Sequence, residues 1–163
     1  MRNLTDSSLH NVYLRPGELY VSRTPALVST VLGSCVSVVL HAPERQVGAM
    51  CHAMLPSGPS DHEFRYVDSS VFYMYERLRS LCGNQVKLEA KLFGGADVLT
   101  PDRQPGRLSV GSQNVQEAKR VLESLGLKLA ASDTGGVAGR KLFFYSGSGE
   151  VYLRQVRKTI GLH

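Results

Sequence analysis

The 163-residue sequence has few of the features that mark specialised classes of protein. It contains no tryptophan and only three cysteines, Cys35, Cys51 and Cys82, with no CxxC pair. An odd number of isolated cysteines argues against a disulfide framework and suits a reducing compartment. No apolar run approaches the roughly 20 residues that a membrane span requires, and the first 15 residues lack an apolar stretch of signal-peptide length. We therefore expect a cytoplasmic protein without membrane insertion.

The charge pattern also excludes a common class of partner. The formal net charge is +5, and the basic residues do not form one block or alternate with aromatic residues. This distribution argues against nucleic-acid binding. The length and a hydrophobic fraction of 42% suit one globular domain. We assign that domain to residues 16–163, starting at the Pro16-Gly17 turn, and expect residues 1–15 to form a flexible N-terminal segment.

Strand-like segments dominate the chain, and two helices stand out. The apolar and β-branched runs predict strands over 19–22, 26–32, 35–41, 47–55, 86–92, 127–131, 141–145 and 151–156. Helical spacing predicts one helix capped by Asp68, with a stripe of Val71, Phe72, Tyr75, Leu78 and Leu81. A second helix is predicted to begin at a capping box of Asn114 and Glu117. The pattern indicates an α+β fold: a layered sandwich of mostly antiparallel or mixed β-sheet flanked by two or three helices.

The segment Leu32-Gly33-Ser34-Cys35 is the first candidate for chemistry. A β-rich run stops at Gly33, and Cys35 follows at the turn before the next strand. A nucleophile at a tight turn can project toward a substrate, while the backbone N–H groups of Ser34 and Cys35 can bind an oxyanion. The alternative is a small buried cysteine, because free cysteine packs like a small hydrophobe.

His52 is the candidate base for this cysteine. If 36–41 and 47–53 form a hairpin around Pro43, the returning strand brings His52 to the same end as Cys35. An adjacent imidazole could hold a thiolate–imidazolium pair near neutral pH. Two alternatives remain at this point: a satisfied core histidine, and a zinc site formed with Cys51 and His41. The zinc site lacks the usual paired ligand spacing, and we expect no metal.

Five motifs, spread over about residues 15–157, together resemble one family. They are Leu32 to Val36, Gly48 to Pro56, Lys91 to Ala96, Gly111 to Val115, and Asp133 to Gly136 with Gly139 to Lys141. In this order and spacing they resemble the chemoreceptor glutamine deamidase family, CheD. The resemblance implies hydrolysis of glutamine side chains on methyl-accepting chemoreceptors to glutamate, and in some members of glutamyl methyl esters. It also implies a fold similar to that of the toxins that deamidate Rho GTPases.

The resemblance further implies a Cys-His-Thr triad and no cofactor. Cys35 and His52 match by position, but the position of the family threonine, six residues before the cysteine, is Ser29 here. Thr30 lies one residue later and would face the other side of a strand. The family spacing favours Ser29 as the residue that orients His52, with Thr30 as the alternative third member. Gly94 and Gly95, in the glycine-rich strand end, are candidate substrate-binding residues.

Partners follow from the same resemblance. The expected protein substrate is the cytoplasmic domain of a methyl-accepting chemoreceptor. Some family members also bind a CheC-type phosphatase, so one alternative is a mainly non-catalytic adaptor that binds CheC and receptors. A second alternative is a cysteine hydrolase of the same fold that acts on another protein amide. The presence of both Cys35 and His52 favours an enzyme that works through a cysteine thioester.

Overall fold

A computed structural model describes residues 9–59, 63–98 and 108–156, and within these ranges it contains nine strands and two helices. The strands are β1 (His10–Tyr13), β2 (Leu19–Ser22), β3 (Ala26–Leu32), β4 (Val36–Ala42), β5 (Val47–Cys51), β6 (Glu89–Gly94), β7 (Leu129–Thr134), β8 (Gly139–Tyr145) and β9 (Val151–Val156). The helices are α1 (Val67–Cys82) and α2 (Val110–Ser124). The predicted α+β class is confirmed.

The strands form two sheets. The first sheet has the order β1-β3-β8-β9, and the second has the order β2-β5-β4-β6-β7. Most pairings are antiparallel, but β1 runs parallel to β3 and β6 runs parallel to β7. Because β3 belongs to the first sheet and β4 to the second, the three residues between them cross from one sheet to the other.

Two apolar layers hold the sheets and helices together. The inter-sheet core is formed by residues that the two sheets direct at each other: Ala26, Val28, Leu32, Leu142 and Phe144 from the first sheet, and Val39, Met50 and Phe93 from the second. The opposite face of the second sheet packs on both helices and forms the helix-facing core, which includes Val38, Leu40, Cys51, Met74 and Val121. The fold therefore has three layers: sheet, sheet, helices.

The N-terminal segment is ordered earlier than the sequence predicts. Residues 10–13 pair with β3 over four positions, and Leu14 is buried in the inter-sheet core. Residues 1–8 lie outside the described residues, so the proposed flexibility of that part stays a prediction. The prediction that the ordered part starts at Pro16 is wrong, because the earlier strand β1 is the edge strand of the first sheet.

Both helices differ in detail from their predictions. In α1, Phe72 is exposed and Met74 is fully buried, so the core-facing stripe is rotated from the predicted one. In α2, the cap is Ser109, whose hydroxyl accepts from the N–H of Ser112 at 3.1 Å. The predicted cap, Asn114, instead lies in the second turn and is fully buried. No helix among the described residues is long and apolar enough to cross a membrane.

Candidate active site

Cys35 lies at the crossover between the sheets. It follows the end of β3 at Leu32 and immediately precedes β4. Its side chain is partly buried and packs against the inter-sheet core. This is the turn position that the sequence predicts.

His52 follows the returning strand and lies on the same face as Cys35. Strands β4 and β5 pair in antiparallel register, and the register continues to a bridge between Val36 and Ala53. In this register Cys35 and His52 are diagonal neighbours on one face of the sheet. Long side chains can span the distance between diagonal neighbours. The sequence-based hairpin is confirmed. The imidazole is 3% exposed and is not hydrogen-bonded to the Cys35 thiol among the described residues.

Thr30, rather than Ser29, contacts His52. The Thr30 hydroxyl oxygen lies 2.6 Å from His52 Nδ1. The buried positions of β3 at this end are even-numbered, so Thr30 points into the inter-sheet space while Ser29 and Val31 point away from it. The preference for Ser29, based on the family spacing, is therefore wrong for the position beside the imidazole, and the alternative Thr30 occupies it.

A second hydrogen bond of Thr30 determines which atom donates in the contact between Thr30 and His52. The hydroxyl donates its single proton to the carbonyl oxygen of Leu14 at 2.7 Å. It can then only accept from the imidazole, so Nδ1 must carry the proton in the neutral ring. Nε2 is left with its lone pair, and Nε2 is the nitrogen that can accept a proton from a thiol. Thr30 and Leu14 together select the tautomer that a base requires.

Burial keeps both groups of the candidate pair neutral. Desolvation lowers the pKa of His52 to about 4, and this effect outweighs the opposing effects of the Leu14 carbonyl and the Glu18 carboxylate. Desolvation also raises the pKa of the Cys35 thiol, although its own N–H partly compensates. Both shifts disfavour the thiolate–imidazolium pair expected near neutral pH and favour a thiol beside a neutral imidazole.

The backbone around Cys35 is held through its carbonyl groups. Ala96 N–H donates to the carbonyl of Gly33 at 3.0 Å, and Gly95 N–H donates to the carbonyl of Cys35 at 2.9 Å. The carbonyl of Ser34 accepts from the side chain of Asn114 at 3.0 Å. In the described part of the chain, no other residue accepts from the N–H groups of Ser34 and Cys35, and the Cys35 N–H interacts only with its own thiol. Two adjacent backbone donors thus remain available beside the thiol.

Gly94 and Gly95 support this backbone. A Cβ on Gly94 would lie 2.4 Å from the Cys35 carbonyl oxygen, and one on Gly95 would lie 2.3 Å from a methyl of Val115. Both glycines also have positive φ, at 104° and 70°. They lie next to Cys35, but they contact the protein itself, and their predicted role in binding a substrate stays a prediction.

Sequence reasoning missed two groups of the site. Asn114 was interpreted as a helix cap, yet it shares one face of α2 with Ala118 and Val121, and this polar residue in an apolar stripe was the available signal. The Leu14 carbonyl is a main-chain group, so nothing in the sequence marks it. The other cysteines are buried: Cys51 faces the helix-facing core, away from His52, and could not join it on one ion.

A cavity of about 590 Å³ adjoins the residues that hold His52. It is lined by residues 12–19 together with Glu63 and Phe64. Glu18 lies in this lining, and its backbone carbonyl accepts from the N–H of His52 at 3.1 Å. The cavity thus adjoins Leu14 and Glu18, whose carbonyls accept from Thr30 and from the N–H of His52.

Comparison with known proteins identifies the family of the chain. Residues 54–155 match the model of the CheD family, described as CheD chemotactic sensory transduction. A protein of Geobacter sulfurreducens named "Probable chemoreceptor glutamine deamidase CheD 2" is 48% identical over 151 residues, which cover 93% of each chain. Namesakes from Maridesulfovibrio salexigens and Pyrococcus abyssi are 40% and 37% identical. The former alignment covers 93% of this chain and 95% of the relative, and the latter 86% and 88%.

The matched region and the relatives cover different parts of the site. The family-model match begins at residue 54, after Cys35 and His52, whereas the alignment with the Geobacter protein spans nearly the whole chain. Together they establish membership over the full fold. This chain belongs to the CheD family.

Proposed function

We propose that this protein deamidates glutamine side chains of methyl-accepting chemoreceptors, with Cys35 as the nucleophile and His52 as the base. The observation that carries the proposal is the Thr30 hydroxyl, which holds the His52 imidazole with Nε2 unprotonated on the face it shares with Cys35. The names of the relatives, chemoreceptor glutamine deamidases, support the substrate.

The first half of the reaction is acyl transfer to sulfur. His52 Nε2 takes the Cys35 proton as the sulfur attacks the side-chain carbonyl of glutamine. The developing oxyanion accepts hydrogen bonds from the N–H groups of Ser34 and Cys35. The imidazolium then protonates the leaving nitrogen, ammonia departs, and a γ-glutamyl thioester remains on Cys35.

The second half returns the enzyme to its starting state. With ammonia gone, His52 is neutral again and takes a proton from water as the water oxygen attacks the thioester. The thioester collapses to glutamate, and the proton on His52 returns to the Cys35 sulfur. The sum is one water consumed and one ammonia released for each glutamine converted, with no cofactor.

The neutral pair fits this sequence of steps. At pH 7 a His52 with a pKa near 4 is almost entirely unprotonated and available as a base. The proton moves only when the substrate is in place, because burial disfavours either charge beforehand. A glutamyl methyl ester would react by the same steps with methanol as the leaving group, so we include esterase activity in the proposal.

The adaptor alternative has no specific observation in its favour. The Thr30–His52 contact supports an enzyme, because a binding protein would not require it. Binding of a CheC-type phosphatase and a cytoplasmic location remain predictions from the family resemblance. Another protein amide as substrate is the remaining alternative, and it shares the chemistry proposed here.

The experiment is a paired assay on an amidated chemoreceptor cytoplasmic domain. Peptide mass spectrometry should identify specific glutamines converted to glutamate, and ammonia should be released in equal amount. An adaptor would bind the receptor domain without releasing ammonia. Binding without conversion, under conditions where the protein is folded, would reject the deamidase and favour the adaptor.

A further inference from the structure

The buried side chain of Asn114 bridges the two chain segments that carry the site. Its Nδ2 group donates to the carbonyl of Ser34 at 3.0 Å and to the carbonyl of Met54 at 3.0 Å. Ser34 directly precedes Cys35, and Met54 lies two residues after His52. One amide group on α2 therefore ties both segments to the helix.

The orientation of the Asn114 amide follows from its partners. Both groups within reach of its donor end are carbonyl oxygens, so only the NH2 can face them, since a flipped amide would oppose oxygen to oxygen. The Oδ1 atom is buried and has no hydrogen-bond partner in the described part of the chain. A buried acceptor without a partner is unfavourable for stability, which indicates that the side chain serves the two donated bonds.

The bond to Ser34 has a geometric consequence for Cys35. The carbonyl of Ser34 and the N–H of Cys35 belong to one planar trans peptide group, so they point in opposite directions. Because the carbonyl points at α2, the Cys35 N–H points away from α2. Since α2 packs on the far face of the second sheet, that direction leads toward the inter-sheet side, where His52 lies.

We infer that Asn114 is a positioning residue that aims the Cys35 N–H into the site as an oxyanion donor. This inference rests on the proposed function. Asn114 touches neither the substrate nor the thiol: it acts through the peptide plane of Ser34 and Cys35. The carbonyls of Gly33 and Cys35 accept from the backbone N–H groups of Ala96 and Gly95. Of the three consecutive carbonyls, only that of Ser34 is held by a side chain.

The test compares two reactions of the same cysteine. Deamidation passes through an oxyanion. In alkylation the Cys35 sulfur attacks the iodine-bearing carbon of iodoacetamide and displaces iodide, so no oxyanion forms. We expect Asn114→Leu, which keeps the branched shape but removes both N–H donors, to lower kcat for receptor deamidation by roughly 10- to 100-fold, somewhat less than direct loss of an oxyanion donor. KM and the alkylation rate of Cys35 should change by less than about threefold, because binding and thiol access are untouched.

Two further variants make the result decisive. Asn114→Asp keeps the shape and replaces the donor with an acceptor, so it tests the same loss if Asn114→Leu folds poorly. We expect it to lower kcat at least as much as the value given for Asn114→Leu. Gln113→Ala removes a neighbouring amide whose Nε2, among the described residues, bonds only to the Leu108 carbonyl, and it should leave kcat, KM and the alkylation rate unchanged.

Each remaining outcome rejects a specific claim. Deamidation at the wild-type kcat by a folded Asn114→Leu or Asn114→Asp variant would overturn the positioning role. A parallel fall of deamidation and alkylation would mean that Asn114 supports only the fold. If the wild-type protein and Cys35→Ala convert receptor glutamines equally, the proposed function itself fails, and the inference falls with it.

Discussion

At the scale of single residues, the proton of the Thr30 hydroxyl decides which nitrogen of His52 can act as a base. A hydroxyl has one proton, and here it goes to the Leu14 carbonyl. A serine at this position could make the same two bonds, because the γ-oxygen is the only atom involved. An alanine would leave the Nδ1–H of a buried imidazole without its hydroxyl acceptor, and the tautomer and ring direction would no longer be selected.

The first prediction concerns this hydroxyl. Thr30→Ala should lower kcat for deamidation by about 10-fold or more, since a misoriented base loses much of the advantage of a positioned acid-base group. Thr30→Ser should retain most of the activity. Steady-state ammonia release measures both.

The matched control is Ser29→Ala, one residue away on the same strand and on the opposite face. It should leave kcat nearly unchanged. A folded Thr30→Ala protein with full activity, or loss of activity only in Ser29→Ala, would mean that the hydroxyl beside His52 does not orient it.

The second prediction concerns the reactivity of the three thiols. At pH 7, limited alkylation should label Cys35 first, because Cys51 is fully buried with a pKa raised to about 12 and Cys82 is 7% exposed. Cys35 should nevertheless react more slowly than a free thiol, since burial raises its pKa. Peptide mapping after a short exposure to iodoacetamide tests both statements, and faster labelling of Cys82 or of Cys51 would contradict them.

The sequence predicted part of this site and not the rest, for physical reasons. Cys35 and His52 were predictable because a turn and a hairpin of known length place them at one end. The choice between Ser29 and Thr30 was not, because β3 carries apolar residues on both faces. Leu27 and Val31 alternate with Val28 and Leu32, so the apolar pattern alone does not identify the inner face.

At the scale of secondary-structure elements, β6 and α2 act as a support for the crossover. Gly94 ends β6 directly against the Cys35 carbonyl, and Gly111 in the first turn of α2 packs against the backbone of Gly95 and Ala96. A Cβ on Gly111 would lie 2.4 Å from the Gly95 carbonyl oxygen. The helix can approach the strand this closely only because glycine is present on both sides.

The third prediction separates this close approach from backbone strain. Gly94 and Gly83 share a φ of 104°, but a Cβ on Gly83 would meet nothing within 4 Å. Gly83→Ala should therefore cost only the strain of the conformation, about 1–3 kcal/mol. Gly94→Ala should destabilise the fold further and also slow Cys35 alkylation and deamidation, because its methyl collides with the Cys35 carbonyl.

Chemical denaturation and the two Cys35 assays measure these effects. Equal losses of stability in the two glycine variants, with an unaltered Cys35, would show that the contact between β6 and the crossover has no influence on the site.

Element boundaries show the same division between predictable and unpredictable features. Strand β3 matches its predicted bounds because its β-branched run lies between Pro25 and Gly33, and β9 matches its predicted bounds as well. Strand β1 was missed because its sequence, HNVY, carries little apolar signal and is ordered by pairing with β3. The start of α2 was placed too late because Asn114 resembles a cap, while its amide bonds to residues distant in sequence.

At the scale of the whole molecule, the site depends on how the two sheets face each other. Thr30 comes from the first sheet and His52 from the segment that follows β5 in the second, and Cys35 lies on the connection between the sheets. The placement of the three residues relative to one another depends on the packing of the inter-sheet core. Sequence patterns report individual elements well, but they do not report the relative placement of two sheets.

The fourth prediction is an acid-sensitive stability that arises from His52. Its pKa is about 4 in the folded protein against an ordinary value of 6.5, so the unfolded chain binds the proton first as pH falls. The contribution of neutral His52 to the free energy of unfolding is fully present above pH 6.5 and is lost as pH falls toward and through about 4. The loss amounts to roughly 3 kcal/mol at most.

Unfolding free energies from denaturant titrations between pH 7 and pH 4 measure this effect. His52→Gln should flatten the pH dependence in that window, whereas His10→Gln, at an exposed histidine of β1, should not. An identical slope in the wild-type protein and His52→Gln would show that the imidazole is not held neutral by burial.

The most direct test of the account is the dependence of receptor deamidation on Cys35. An amidated chemoreceptor cytoplasmic domain is incubated with the wild-type protein, Cys35→Ala or Cys51→Ala, and each receptor glutamine is followed by peptide mass spectrometry. We predict conversion to glutamate by the wild-type protein and by any folded Cys51→Ala protein, and none above background by Cys35→Ala with its fold intact. Conversion by Cys35→Ala at a rate near that of the wild-type protein would contradict the account.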